Sequence, residues 1–567
     1  MKPQSSGFSA EIQMNPSISK ERPLAMCFYG KSSWILILLS AATIVESFAK
    51  DEQPGNHHGD QWLNHGGDLT NDRWARFEKR ISISTVQKLN EKWTFTADSD
   101  VTATPSISDG MVYFPDWSGS LYAIKQKTGE LVWKKNLTAL AAASLGTGNR
   151  TLVSRSAPTI AGNRLLVSIY GPCAVVAVSR SGGDFLWSRV LDPHPYGLAT
   201  MSGTEYEGFL YIGTSSREET ALDSTTCCSF QGAFFKLDVE SGEIIWRVPM
   251  LPDNGGRSDQ YAGNAVWGSS PPIDVQRRNV YIATGNNYQT PEEVAQCELH
   301  YRNLTNPPIP DPCIVPENHV ESVLAINLDS GNITWARHLG GYDTWVITCI
   351  FPGTGSKVNC PTIPGPDYDF GEAPILLTIP SNRSYHGRDI VVTGQKSGIV
   401  WALDRETGDT IWETQAGPGG ALGGSIWGIT TDGQRVFTNI VNSLRKNFTL
   451  VPSTRVVDTG GWVGLNASSG QVLWSTGGDF ASAPLTHANG VVFGDSLSGV
   501  VTLDAQSGQI LRSIPTNGSL YGGPSVSQGC SLQPVGPGPN GMLAAQLANF
   551  TSRPGNSVVS LCAPTMV

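Results

Sequence analysis

Charge is scarce in this chain. Asp, Glu, Lys and Arg make up only 16% of the 567 residues, too few to solvate the outer faces of many long helices. Positive charge is scarcer still. The formal net charge is −10, and no basic stripe with interleaved aromatics occurs, which argues against a nucleic-acid partner. The histidines, His57-His58 included, lack metal-ligand spacing and read as structural. No linker divides the sequence, so residues 50–567 read as one domain.

Long apolar runs are missing too, with one exception at residues 34–45, preceded by Lys20, Arg22 and Lys31 and followed by Ser47-Phe48-Ala49. This run falls short of the roughly 20 residues of a membrane-spanning helix. Residues 1–49 therefore read as a cleaved export signal. A retained signal anchor is the alternative, and the only route by which the protein would be held on a membrane.

Glycine and tryptophan are plentiful, at 62 and 16 residues. They favour strands, tight turns and buried rings. Nine Asn-x-Ser/Thr sequons, at Asn136, Asn149, Asn303, Asn332, Asn382, Asn447, Asn466, Asn517 and Asn549, suit a secreted glycoprotein. With Cys27 in the signal region set aside, short spacings suggest four disulfides: Cys227–Cys228, Cys297–Cys313, Cys349–Cys360 and Cys530–Cys562. Cys173 is left over.

One pattern recurs: an apolar strand, a polar turn ending in Gly, and Trp four residues later. The copies are LYAIKQKTGELVW, VAVSRSGGDFLW, FKLDVESGEIIW, LAINLDSGNITW, VWALDRETGDTIW and WVGLNASSGQVLW. A seventh, VTLDAQSGQILR, puts Arg512 in the Trp place. Each is a hairpin whose Gly supplies a positive φ. Upstream pairs of short strands, such as TPSISDGMVYFPD and SAPLTHANGVVFGD, bring each repeat to about four strands. The expected fold is all-β: an eight-bladed β-propeller of four-stranded antiparallel sheets. The eighth blade is split, joining residues 557–561 to the segment around Trp93, so that N- and C-terminal strands close the ring. Two inserts, near 288–318 and 345–369, each carry a cysteine pair.

The repeated D-x-x-[TS]-G-x-x-x-W turn resembles the pyrroloquinoline-quinone-dependent alcohol dehydrogenases, the polyvinyl-alcohol dehydrogenase-like branch included, over roughly residues 58–567. The resemblance implies a quinone on the propeller axis, between a Trp ring and a vicinal disulfide, with Ca²⁺ beside it. GNAVWGSSPPID then places Trp267 under the quinone, and Cys227-Cys228 is the adjacent pair. IGTSSREE and YIATGNN offer Glu218, with Glu219 as neighbour, and Asn286 as calcium ligands. VSRSAPT and GQKSGIVWALD offer Arg155 and Lys396 to the anionic cofactor, and Thr200 is a further hydroxyl donor. DYDFGEAP makes Asp369 the catalytic base and a metal ligand, and Asp343 matches another acidic position.

Such an enzyme would take hydride from a small or polymeric alcohol, polyol or sugar, and pass electrons to an external acceptor. Covalent haem is not implied, because no Cys-x-x-Cys-His occurs. Thr102 and Gln231 depart from the family pattern, where Glu and Arg are common. They favour the alternative, a non-catalytic extracellular propeller that binds polysaccharide or protein.

Overall fold

A computed structural model describes residues 60–220, 227–301, 311–350, 359–381 and 384–564. The expected export signal, Asn303 and Asn382 lie outside these residues. Eight four-stranded antiparallel sheets follow one another along the chain, as the repeat predicts. Blade 1 is Ser106–Ser108, Met111–Pro115, Ser120–Lys125 and Leu131–Asn136. Blades 2 to 7 repeat that order. Blade 8 takes Ser525–Ser527, Cys530–Val535 and Ser557–Cys562 from the C-terminal end and Asn90–Thr96 from the other, with Trp93 opposite Ser560. The four cysteine pairs form as expected, and Cys173 is buried and free.

The turn motif is a docking device between blades. The indole N–H of Trp93, Trp133, Trp187, Trp246, Trp335, Trp412 and Trp474 each donates to a turn carbonyl of the next blade, at 2.9–3.2 Å. The motif glycine of that next turn lies flat on the ring. Gly242 shows why: its φ is +70°, and a Cβ there would sit 2.5 Å from the Trp187 ring. Glycine is required twice, for conformation and for contact. Arg512 replaces the ring where the chain ends meet. Its guanidinium donates to the carbonyls of Gln87 and Leu89, at 2.8 and 2.6 Å, at the entry to blade 8.

Residues 60–75 touch the innermost strand of every blade in ring order. Ser527 of blade 8 donates to the Asp60 carbonyl, and Trp62 pairs with Ile107 of blade 1. The N–H groups of Ile160, Ile273 and Leu376 donate to the carbonyls of Leu63, Leu69 and Thr70, reaching blades 2, 4 and 5. Asn64 donates to Thr204 of blade 3, and Thr430 of blade 6 donates to the Asp72 carbonyl. His487 of blade 7 pairs with Arg73 and Ala75. Fully buried Arg73 anchors the segment, donating to Leu485, Pro524, Thr104, Thr486 and His65.

Candidate active site

An axial cavity of about 270 Å³ opens among loops from several blades. Its wall includes Arg155, Thr200, Glu219, Trp267, Asp367 and Lys396. Glu219, Asp367 and Asp369 converge, each presenting an oxygen within 4.8 Å of the others. Lys396 reaches into them, its Nζ 2.9 Å from Asp367 and 2.6 Å from Asp369. The same ammonium lies 5.5 Å from the centre of the Trp267 ring, and the Trp267 N–H donates to Asp369 at 2.7 Å.

Burial dominates the electrostatics. It raises the Glu219 carboxyl to about 7, against the pull of Lys396. It holds Asp367 well above the usual carboxylate range despite the same ammonium. Burial would lower Lys396, but Asp367, Asp369 and Glu219 outweigh it and keep the ammonium charged, well above its ordinary value.

Arg155 stands on the other side, its guanidinium 4.9 Å from the Trp427 ring centre and 5.7 Å from that of Tyr170. Trp427 meets Trp267 edge-on, with ring centres 5.0 Å apart. Among the described residues, Arg155 has no hydrogen bond or ion pair; aromatic faces hold its charge in place. Asn286 spends its side-chain N–H groups on the carbonyls of Asn287 and Trp345, leaving Oδ1 buried without a partner. Its neighbour Gly285 abuts Asp369, since a Cβ there would lie 3.0 Å from the carboxylate. The Thr200 hydroxyl meets Ser215 and the Trp267 carbonyl, so it sets the Trp267 backbone.

Several expected positions fall elsewhere. Glu218 is turned away from the cluster. Its carboxylate accepts the N–H groups of Ser229 and Phe230 and lies 3.4 Å from His194, bracing the turn that holds the vicinal disulfide. The two glutamates share a short 3₁₀ turn, Glu218–Thr220, whose successive side chains point in different directions, and Glu219 takes the cavity side. The Cys227–Cys228 disulfide packs with Tyr288 and Val346, and it is Tyr288 that lines the cavity. Asp369 is buried with its oxygens engaged by Trp267 and Lys396, and Asp367 faces the cavity in its place.

Asp343 lies beneath: its carboxylate accepts the N–H groups of Asp367 and Tyr368, and its carbonyl accepts that of Asn287. Thr102 accepts from the Trp117 indole on the wall of a small adjoining cavity. Gln231 is a loop staple, donating to the carbonyls of Pro252 and Tyr261.

Sequence reasoning missed Asp367, Trp427 and the helix Gly538–Leu547, which also lines the cavity. Trp427 carried the signal that singled out Trp267: a tryptophan outside the turn motif.

The family model described as outer membrane protein assembly factor BamB, a PQQ-repeat model, matches residues 84–414 and 396–519. The chain belongs to this quinoprotein repeat family. Its curated relatives include a polyvinylalcohol dehydrogenase from a Pseudomonas species, 29% identical over 67% of this chain and 55% of the relative. Another, from Sphingopyxis, is 28% identical over 75% of this chain and 60% of the relative. The chain thus spans little more than half the length of these relatives. Quinohemoprotein alcohol dehydrogenase from Comamonas testosteroni shares the fold, with a TM-score of 0.63 at 16% identity over 89% of this chain and 80% of that one. A europium-containing methanol dehydrogenase has the same TM-score at 13% identity, over 89% of this chain and 98% of that one.

Proposed function

We propose that this propeller is a quinoprotein oxidoreductase that oxidises an alcohol with pyrroloquinoline quinone and Ca²⁺ bound in the axial cavity. The observation that carries the reading is a single cavity that joins an unpaired guanidinium to a carboxylate cluster. That donor set fits the cofactors. Arg155 and Lys396 suit an anionic planar ligand, Trp267 offers it a ring, and Glu219, Asp369 and Asn286 Oδ1 offer a hard cation its oxygens. Thr200 contributes by fixing Trp267. Cys227-Cys228 supports the wall through Tyr288.

When bound, the quinone supplies the acceptor for the hydride that leaves the carbinol carbon. Asp367, the cavity-facing carboxylate beside the Lys396 ammonium, takes the hydroxyl proton as the carbonyl forms. Lys396 holds that carboxylate in place and offsets the charge of its neighbours. Asp369 orients Trp267 and Lys396 in addition to its part in cation binding. Two electrons then pass to an external acceptor, since the chain carries no haem-attachment motif.

The same reading places the protein outside the cytosol, supported by the four disulfides and by exposed sequons such as Asn149, Asn332 and Asn517. No helix among the described residues is long and apolar enough to cross a membrane.

The test is turnover of secreted protein loaded with pyrroloquinoline quinone and Ca²⁺, using an artificial electron acceptor and a panel of alcohols. Oxidation that Asp367→Asn abolishes, with cofactor still bound, supports the reading. Cofactor binding without oxidation of any alcohol points to a binding propeller with an inherited pocket.

A further inference from the structure

A second cleft, of about 730 Å³, shares two loops with the axial cavity. Asp367 lines the axial cavity, whereas its neighbours Pro366 and Tyr368 line the cleft. Lys396 repeats the pattern, with Gln395 and Ser397 on the cleft. The same stretches of backbone therefore wall both spaces.

The cleft suits a neutral, hydroxylated ligand. Half-buried rings of Tyr342, Tyr368 and Phe448 line it, and Gln415 adds an exposed amide. Glu321, also in the wall, is buried with Oε1 unpartnered, and its Oε2 accepts the Gln395 amide at 3.4 Å. Burial, and then the neighbouring Asp343, hold the Glu321 carboxyl well above the usual carboxylate range. A neutral carboxyl both donates and accepts. Rings flanked by such groups are what a saccharide needs, since its C–H faces pack on aromatic surfaces and its hydroxyls require partners.

The wall also carries a glycosylation sequon. Asn447, Phe448 and Thr449 all line the cleft, and Asn447 and Thr449 are exposed, open to a modifying enzyme. The sequon is held in place. Phe448–Thr449 pairs with Val456–Val457, and the Asn442 amide donates to the carbonyls of Lys446 and Thr459 at 2.9 and 3.1 Å. A sugar joined to Asn447 starts at the cleft, so tethering makes even weak contacts persistent.

We infer that an N-linked glycan on Asn447 occupies this cleft, packs on Tyr368 and Phe448, and braces the loops that carry Asp367 and Lys396. The modification joins Asn447 Nδ2 to the anomeric carbon of a glycosyl diphosphate donor, with loss of the diphosphate and of one amide proton. The inference rests on passage of the chain outside the cytosol and not on alcohol chemistry.

The experiment uses the secreted protein. Peptide-N-glycosidase F is applied to folded and to denatured samples, and mass spectrometry reads each site, with exposed Asn149 and Asn332 as references. Asn447 is expected to be glycosylated, to keep its glycan in the folded protein while the references lose theirs, and to release it on denaturation. Tyr368→Ala should make the Asn447 glycan as labile as the references. Thr449→Val, which removes the sequon, should bind added N,N′-diacetylchitobiose in calorimetry where wild type does not. The same variant should exchange amide hydrogens faster over residues 366–369 and 395–397. Thr449→Ser keeps the sequon and should match wild type. A bare Asn447, or a glycan released from folded protein as fast as the references, overturns the inference. Folded Thr449→Val that binds no chitobiose and exchanges these loops at the wild-type rate overturns it too. Failure to bind the quinone sinks the proposed function and leaves this inference standing.

Discussion

The indole N–H of Trp267 donates to the Asp369 carboxylate at 2.7 Å. One tryptophan thus supplies both a ring at the cavity wall and a donor to the buried carboxylate cluster. Trp267→Phe separates the two roles, keeping an aromatic surface and removing the donor. A lost bond to a metal ligand's support costs about 10–100-fold in metal affinity. Calcium titration of the variant should show that loss, with quinone binding at saturating calcium largely retained.

Asp343 joins the turn bearing Asp367 and Asp369 to the turn bearing Asn286, through its carboxylate and its carbonyl respectively. Asp343→Ala leaves the Asp367 and Tyr368 N–H groups without their acceptor, at about 1–3 kcal/mol each. The expected result is a lower melting temperature and weaker calcium binding. Asp343→Asn, which keeps one acceptor, should recover part of both.

Arg73 is fully buried and ties the 60–75 segment to blades 1, 7 and 8. Arg73→Ala strands several buried carbonyl and hydroxyl oxygens at once. A loss of at least about 3 kcal/mol is expected from urea unfolding. Because the segment spans all eight blades, a chain that begins at residue 76 should fail to fold.

His487 stacks on Phe437 in the core, and burial lowers its pKa to about 4. A lowered folded-state value means that the unfolded chain binds the proton first as pH falls. The stability contributed by neutral His487 is therefore complete above pH ~6.5 and is lost as pH falls toward 4, by roughly 3 kcal/mol in total. His487→Gln keeps an acceptor for the Gly490 N–H. In urea melts between pH 7 and 4 its stability should fall less steeply than that of wild type.

The fold was legible in the sequence because a docking contact made seven times leaves the same residues seven times. The Gly-to-Trp spacing marks blades 1 to 6, and Arg512 marks the seam where the chain ends meet. The 60–75 segment was not legible. It touches the blades in turn, largely through backbone atoms that any side chain would supply.

At the site, Trp267 stood out because it lacks the turn motif, and Arg155 and Lys396 fall at the cavity, with Asn286 next in sequence to the Gly285 that abuts Asp369. The choice between Glu218 and Glu219, or Asp367 and Asp369, turns on which way each carboxyl points in a short turn or loop. Periodicity carries no information there. The cover helix escaped notice because GPNGMLAAQL has too little amphipathic contrast to announce a buried face.

The central claim is that the cavity is built for an anionic quinone beside a hard cation. Calorimetric titration with pyrroloquinoline quinone, with and without Ca²⁺, tests it in wild type, Arg155→Ala and Glu219→Ala. The account predicts tight, calcium-dependent binding to wild type, weakened in Arg155→Ala at any calcium concentration and stripped of its calcium dependence in Glu219→Ala. No binding to folded wild-type protein, or binding indifferent to both substitutions, would contradict it.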